Sequence, residues 1–378
     1  MPMPTADDKP LLTIRDLAVS FQTESGLVHA VQGVNLSVYP RQTLAVVGES
    51  GCGKSVTALS TLKLIPTPPG KYESGSIEFN GVDLLRYNEK QMRSIRGNQI
   101  AMIFQEPMTS LNPVYTTGDQ IMEAVRLHQK VTKAEARRIA QQALIDVGIA
   151  DAAGRLDAYP HQMSGGMRQR IMIAMALACR PRLLLADEPT TALDVTIQAQ
   201  ILYLLRKLQE EHGMSILLIT HDLGVVAENA DVVAVMYAGR IVEYGTVYDV
   251  FTHPIHPYTH GLFASMPKLG ESHHRLQTIP GTVPNPVDFP TGCPFHPRCA
   301  ATKIRAESAP MSEALSIPGA TKTDVQTHRV MKRCVEADPP LLEITPGHWA
   351  ACHFATGYPA GKRTRPDLAF RRELVTAG

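Results

Sequence analysis

The stretch TLAVVGESGCGKSVTALSTLKLI, residues 43–65, constrains this chain more than any other. An apolar run meets the pattern G-x-x-x-x-G-K-S, and a helix-forming segment follows. Residues 43–47 read as a strand buried on both faces. Residues 55–65 read as a helix, stopped by Pro66, Pro68 and Pro69. A glycine loop between such a strand and helix turns successive backbone N–H groups toward one point, with a helix N-terminus behind them. That arrangement is an anion site. Gly48, Ser50, Gly51, Cys52, Gly53, Lys54, Ser55 and Val56 are therefore the expected nucleotide-binding residues. Lys54 is expected to reach the β- and γ-phosphates, and Ser55 to hold Mg²⁺. Cys52 fills a free position of the loop and reads as a small filler, with a redox switch as the alternative.

A phosphate site alone does not hydrolyse anything. LLLADEP, residues 183–189, supplies an apolar strand that ends in two carboxylates. Asp187 suits the Mg²⁺ shell, and Glu188 beside it can polarise a water for in-line attack. A further apolar strand, SILLIT (215–220), follows a helix at about 196–211. Strands alternating with helices give an α/β protein with a mostly parallel sheet. GSIEFNGVDL reads as a hairpin turning at Asn80-Gly81. From about 109 to 178 the pattern is helical, and KAEARRIAQQALIDVG places Ile139, Ala143, Leu144 and Val147 on one face. Gly148 closes that helix.

Composition narrows the function. With 37 basic and 36 acidic residues the formal charge is +1, which gives no electrostatic reason to expect a nucleic-acid partner. No apolar run reaches the eighteen or so residues of a membrane helix. The opening MPMPTADDKP has neither a basic n-region nor an apolar h-region, so a cytosolic chain is expected, seated on a membrane only through partners.

HQMSGGMRQR, residues 161–170, looks like a second phosphate-gripping turn. One nucleotide needs one P-loop, so a phosphate held here would belong to another subunit. SGGMRQR followed by LLLADEPTTALD resembles the motif pair of ABC-transporter ATPases. The resemblance implies an α/β ABC ATPase cassette, with a P-loop core and antiparallel β and helical subdomains. Residues 8–252 would form it, with the helical subdomain at about 109–178. It implies that Ser164, Gly165, Gly166 and Met167 face a partner's ATP, and that Asp194 lies in the D-loop of the dimer interface. Gln105, in IAMIFQEP, matches the glutamine that contacts Mg²⁺ or water and the transmembrane subunit. His221, in ILLITHD, matches the switch histidine on the γ-phosphate. Glu188, His221 and Gln105 thus form the expected catalytic set, and Mg²⁺ the expected metal, held through Ser55, Gln105 and Asp187. Phe21 is the candidate for stacking on adenine, with a core role as its alternative. Met167 departs from the glutamine of many relatives, as is common in the oligopeptide and dipeptide importers.

The tail points to the same branch. HPIHPYTHGL (253–262), CPFHPRC (293–299) and LLEITPGHWAACHF (341–354) resemble the extension of dipeptide/oligopeptide/nickel importers. Residues 253–378 are therefore expected to be a loop-rich extension, interrupted by an insertion at 301–330. His253, His256 and His260 read as a structural dock in preference to metal ligands. Cys293, Cys299, Cys334 and Cys352 lack the C-x₂₋₄-C pairs of structural zinc sites. Thiolates also select iron–sulfur clusters. The resemblance favours [4Fe-4S], with zinc or no metal as alternatives. The function expected is ATP hydrolysis driving uptake of di- or oligopeptides. Two permease subunits, a second related ATPase and an extracytoplasmic binding protein would be the partners, with this chain on the cytoplasmic face of the inner membrane. A nickel importer or a non-transport ABC ATPase is the alternative. Two cassettes in one chain, typical of the translation ATPases, are absent, as is the long coiled coil of the repair ATPases.

Overall fold

A computed structural model describes residues 9–105, 111–191, 194–266, 278–319 and 327–357. The basic stretch GKRTRPDLAFRR (361–372), which by composition reads as a solvated tail, lies outside the described residues.

Two sheets organise the cassette. The smaller is antiparallel, in the order β2 (Gly26–Val38), β1 (Leu12–Thr23), β4 (Gly70–Phe79), β5 (Val82–Asp83). Asn80 and Gly81 both take positive φ, 52° and 79°, which is the turn that a two-residue hairpin requires. The larger sheet contains β3 (Thr43–Val47), β6 (Ile100–Ile103), β7 (Leu183–Asp187), β8 (Ser215–Thr220), β9 (Val232–Tyr237) and β10 (Arg240–Thr246). In the order β9-β3-β8-β7-β6 every pair is parallel, and β10 closes one side antiparallel to β9. β3, β7, β8 and β9 are buried at every position, as expected of strands covered on both faces.

The helical segment carries the helices Thr117–His128, Lys133–Asp146 and Gly165–Leu177, with a short turn of helix between the last two. Thr132 and Glu135 form a capping box at the start of the middle helix. Ala143, Leu144 and Val147 are buried as the pattern predicts, with Ile139 packed at the edge. These helices share one core with the far side of β7 and with the helix Val195–His212. The antiparallel sheet and the helix Lys54–Thr61 share a second core. That helix stops at Thr61, short of the prolines that were expected to end it.

The extension is more ordered than its composition suggests. Residues 301–330 include most of a helix, Ala300–Ser308, and a hairpin of β11 (Ala314–Pro318) and β12 (Thr327–Met331). LLEITPGHWAACHF supplies β13 (Leu342–Thr345) and β14 (His348–Ala350), and β14 pairs with β10. The end of the extension thus completes the cassette's own central sheet.

A buried polar knot holds this union. Glu243 of β10 accepts N–H bonds from Ile255 and His256, both at 2.8 Å, and contacts His348 Nε2 at 2.8 Å. Glu243 and His348 are fully buried. His256 Nδ1 in turn accepts the Tyr258 N–H at 3.0 Å. His256 is buried and docks on Glu243 through its N–H, while His253 and His260 are exposed. Burial pushes His256 down to about 4 from 6.5. The unfolded chain therefore takes up this proton first, and stability present above pH 6.5 is lost as pH falls toward 4. Between pH 6.5 and about pH 5 the loss is about 2 kcal/mol for this one group. We expect denaturant melts to show this loss, and a folded His256→Gln variant to show a shallower pH dependence. An equal slope in both proteins would remove His256 from this role.

Candidate active site

The loop between β3 and the helix Lys54–Thr61 is shaped by close neighbours. A Cβ at Gly48 would lie 2.1 Å from the carbonyl oxygen of Met236, at the end of β9. One at Gly53 would lie 2.3 Å from the carbonyl oxygen of Ala30, on β2. Only glycine fits either place, and Gly53 also needs its φ of 102°. Lys54 is buried and donates to the carbonyls of Gly48 at 2.8 Å and Glu49 at 3.0 Å. Ser50 and Gly51 are exposed, at the open side of the loop. The Cys52 side chain points into the second core and burial raises its pKa, as suits a filler.

Two carboxylates follow β7, in different settings. Asp187 is buried, and Ser55 Oγ donates to its Oδ1 at 3.1 Å. Burial raises its pKa, against the Ser55 hydrogen bond. A hydroxyl and a carboxylate that meet from a helix and a strand are hard oxygen donors, the set that suits Mg²⁺. When bound there, the ion would neutralise phosphate charge, with Ser55 and Asp187 holding it.

Glu188 takes the left-handed backbone conformation, φ 45°, uncommon for a residue with a Cβ. Its N–H is fixed to the Ile219 carbonyl at 2.9 Å, which turns the side chain away from β7. Three groups meet its carboxylate. Thr191 Oγ1 donates at 2.9 Å, Gln105 Nε2 donates at 3.1 Å, and His221 Nδ1 lies at 3.3 Å. Burial alone would raise its pKa, but bonds from Thr191 and His221 more than offset this and hold the carboxyl below its ordinary value. An ionised carboxylate at this position can accept a proton from water. The expected catalytic set of Glu188, His221 and Gln105 is therefore brought together. Gln105, expected also at Mg²⁺, here donates to Glu188 in place of facing Asp187. Thr191 was missed from sequence, because one threonine after DEP has no spacing signal of its own.

The second glycine turn is built differently. Ser164 caps the helix Gly165–Leu177, accepting the Met167 N–H at 3.3 Å. Ser164 and Gly165 are exposed, and Gly166 packs on Ile197, whose Cγ2 lies 3.3 Å from a Cβ built at Gly166. Asp194 is exposed and accepts the Ile197 N–H at 3.0 Å. Gly166 and Asp194 therefore adjoin through one isoleucine. Met167 packs at the edge of the first core, whereas the P-loop helix packs in the second. Buried Gln169 ties this helix back to the active site by donating to the carbonyl of Pro189.

Phe21 is half-buried on β1, its Cε1 lying 3.2 Å from a Cβ built at Gly70. It packs against the second core, beside strands that border the P-loop.

These features match known proteins. An ABC transporter family model matches residues 31–191, and one described as the oligopeptide/dipeptide transporter C-terminal region matches residues 242–304. The dipeptide transport ATP-binding protein of Escherichia coli is 46% identical over 95% of this chain and 99% of its own length. The oligopeptide transport ATP-binding protein of Bacillus subtilis is 51% identical, over 88% of this chain and 91% of its own. This chain belongs to the ABC transporter ATPases. The dimeric structure of a bacterial ABC transporter cassette aligns with TM-score 0.56 at 25% identity, covering 62% of this chain and 98% of that one. As a member of that family this ABC ATPase uses ATP and Mg²⁺, and couples hydrolysis to transport.

The four cysteines of the extension were expected to hold [4Fe-4S]. The fold gathers them into one neighbourhood, with Cys299 and Cys334 buried and Cys293 and Cys352 half-buried. Burial pushes Cys293 up to about 12 and Cys299 to about 11, and the nearby thiols add to both rises. Burial raises Cys334 and Cys352 as well. Yet among the described residues no three His, Cys, Asp or Glu side chains converge closely enough to hold a metal ion. The thiols thus stand apart at more than ligand spacing, although four neighbouring thiols are the donor chemistry of such a cluster. Nor does any helix among the described residues have the length and apolarity to cross a membrane.

Replacing Glu188 with Gln keeps the shape and removes the proton acceptor. We expect ATP turnover to fall about 10²- to 10⁴-fold while nucleotide binding persists. Phosphate release and nucleotide retention measure the two, and wild-type turnover in the folded variant would remove Glu188 from its role.

Proposed function

We propose that this protein is the ATP-hydrolysing subunit of an importer of di- or oligopeptides. The extension carries this reading. Its two recognised motifs and its sheet-completing end set it apart from a bare cassette, and the relatives that share it are named for dipeptide or oligopeptide transport. ATP held by the P-loop would meet Ser164 and Gly166 of a second, related cassette, and this chain's Ser164 would serve that cassette's ATP. The exposure of Ser164, Gly165 and Asp194 supports this.

Hydrolysis would start when Glu188 accepts a proton from the attacking water. Gln105 and His221, both bonded to Glu188, would sense the change at the γ-phosphate. Gln105 is exposed beside exposed Phe104, and would pass that change to permease helices. Two permeases, a second ATPase and an extracytoplasmic binding protein complete the machine, with this chain on the cytoplasmic face of the inner membrane. Phe21 would stack on adenine. The thiol neighbourhood of Cys293, Cys299, Cys334 and Cys352 supports a second element of the proposal, an iron–sulfur cluster that would draw the four together.

Deleting the gene should abolish uptake of labelled dipeptide and spare that of nickel, with Glu188→Gln failing to restore it. Normal dipeptide uptake with nickel uptake lost would give this ATPase the other cargo. For the cluster, iron and sulfide in anaerobic protein should vanish in Cys293→Ser, and their persistence would exclude Cys293 as a ligand.

A further inference from the structure

The P-loop contains a residue with the wrong charge. Glu49 is the second residue of GESGCGKS, and a carboxylate in an anion-binding loop opposes a triphosphate. The structure disposes of it through the extension. Arg298, from CPFHPRC, grips it as a fork, Nη1 to Oε2 at 2.7 Å and Nη2 to Oε1 at 3.0 Å. The Arg298 side chain is 3% exposed. Its Nε donates to the Pro280 carbonyl at 2.9 Å, and its guanidinium lies over the rings of Tyr237 and Phe295. Those rings, with Tyr258, form an aromatic cluster between β9 and the extension.

The backbone of Glu49 is held from the same side. Tyr258, from HPIHPYTHGL, accepts its N–H at 2.8 Å. Its carbonyl meanwhile accepts from Lys54 Nζ. So one loop residue is fixed at its amide and its carboxylate by the extension, and carries the phosphate-binding lysine on its carbonyl. Each of the two extension motifs contributes one contact.

We propose that the extension is a working part of the nucleotide site, in which Arg298 and Tyr258 are positioning residues that neutralise Glu49 and fix the P-loop for the triphosphate. Fork geometry matters, because a planar guanidinium meets both carboxylate oxygens and a lysine would not. A buried ion pair broken on one side leaves its other charge uncompensated. Losing Arg298 therefore exposes ATP to a free carboxylate, whereas losing both partners restores neutrality. An Arg298 that merely glued the extension down would give no such recovery.

The test is ATP affinity of this chain in its assembled transporter, by photolabelling with 8-azido-ATP, which reports each ATPase chain separately on a gel. Wild-type labelling fixes the reference and confirms that the site binds nucleotide at all. Arg298→Gln should weaken binding at least about tenfold. The double variant Glu49→Gln/Arg298→Gln should return to within about threefold of wild type, because no unpaired charge remains. Tyr258→Phe should weaken binding by about three- to tenfold, the worth of one hydrogen bond to the loop. Wild-type affinity in Arg298→Gln, or a double variant as weak as Arg298→Gln, would overturn the proposal. Should Arg298→Gln fail to assemble, the double variant and Tyr258→Phe decide: a weak double variant, or wild-type affinity in Tyr258→Phe, overturns it.

Discussion

The short turn from Gly48 to Lys54 can hold its shape only because other parts of the chain press on it. β9 and β2 close on Gly48 and Gly53 so tightly that neither position accepts a side chain. Lys54 is folded back onto the same turn. Gly239 N–H adds a bond to the Cys52 carbonyl at 3.0 Å. Most of the architecture follows from that constraint. Buried parallel strands must bring β3 to the loop from below, and the antiparallel sheet must bring β2 across its flank. Glu188 and His221 then arrive at the ends of β7 and β8, beside the turn, because these strands run parallel to β3.

The second dependence is between two cores. One holds the P-loop helix and the antiparallel sheet, the other the helical segment with its exposed glycine turn. They meet across the central sheet, and Gln169 reaches between them to the carbonyl of Pro189. One buried side chain thus links the segment that follows Glu188 to the helix that starts at Gly165. The extension adds a third core, centred on Tyr237, Tyr258 and Phe295. It is joined to the cassette through Glu243 and through β14, which pairs with β10.

Much of this was legible in the sequence. The strand–loop–helix at 43–65, the carboxylates after 183–187 and the hairpin at Asn80-Gly81 are local patterns with local causes. That Gln105, His221 and Ser164 belong to a site was suggested only by resemblance, since a single polar residue after a strand has no periodicity. Thr191 and Gln169 were not legible, because their partners are set by how β7 leaves the sheet. The extension was the largest gap. Proline and histidine density suggested loop, and the period of 341–354 is too short to announce strands that add to β10. The contact of Arg298 with Glu49 joins residues 249 positions apart, and no spacing rule reaches that far. The cysteines show the opposite case. Their content suggested a metal site, while the fold brings the thiols near one another without ligand spacing.

In the proposed importer this chain would complete its catalytic cycle only against another cassette, within a membrane complex. The most direct test is to tag this chain carrying Glu188→Gln, solubilise membranes gently with ATP present, and identify what co-purifies. The account predicts two polytopic permeases and a second, related ATPase, retained with ATP and released without it. Recovery of the chain with ribosomes or DNA-repair proteins and no permease would contradict it.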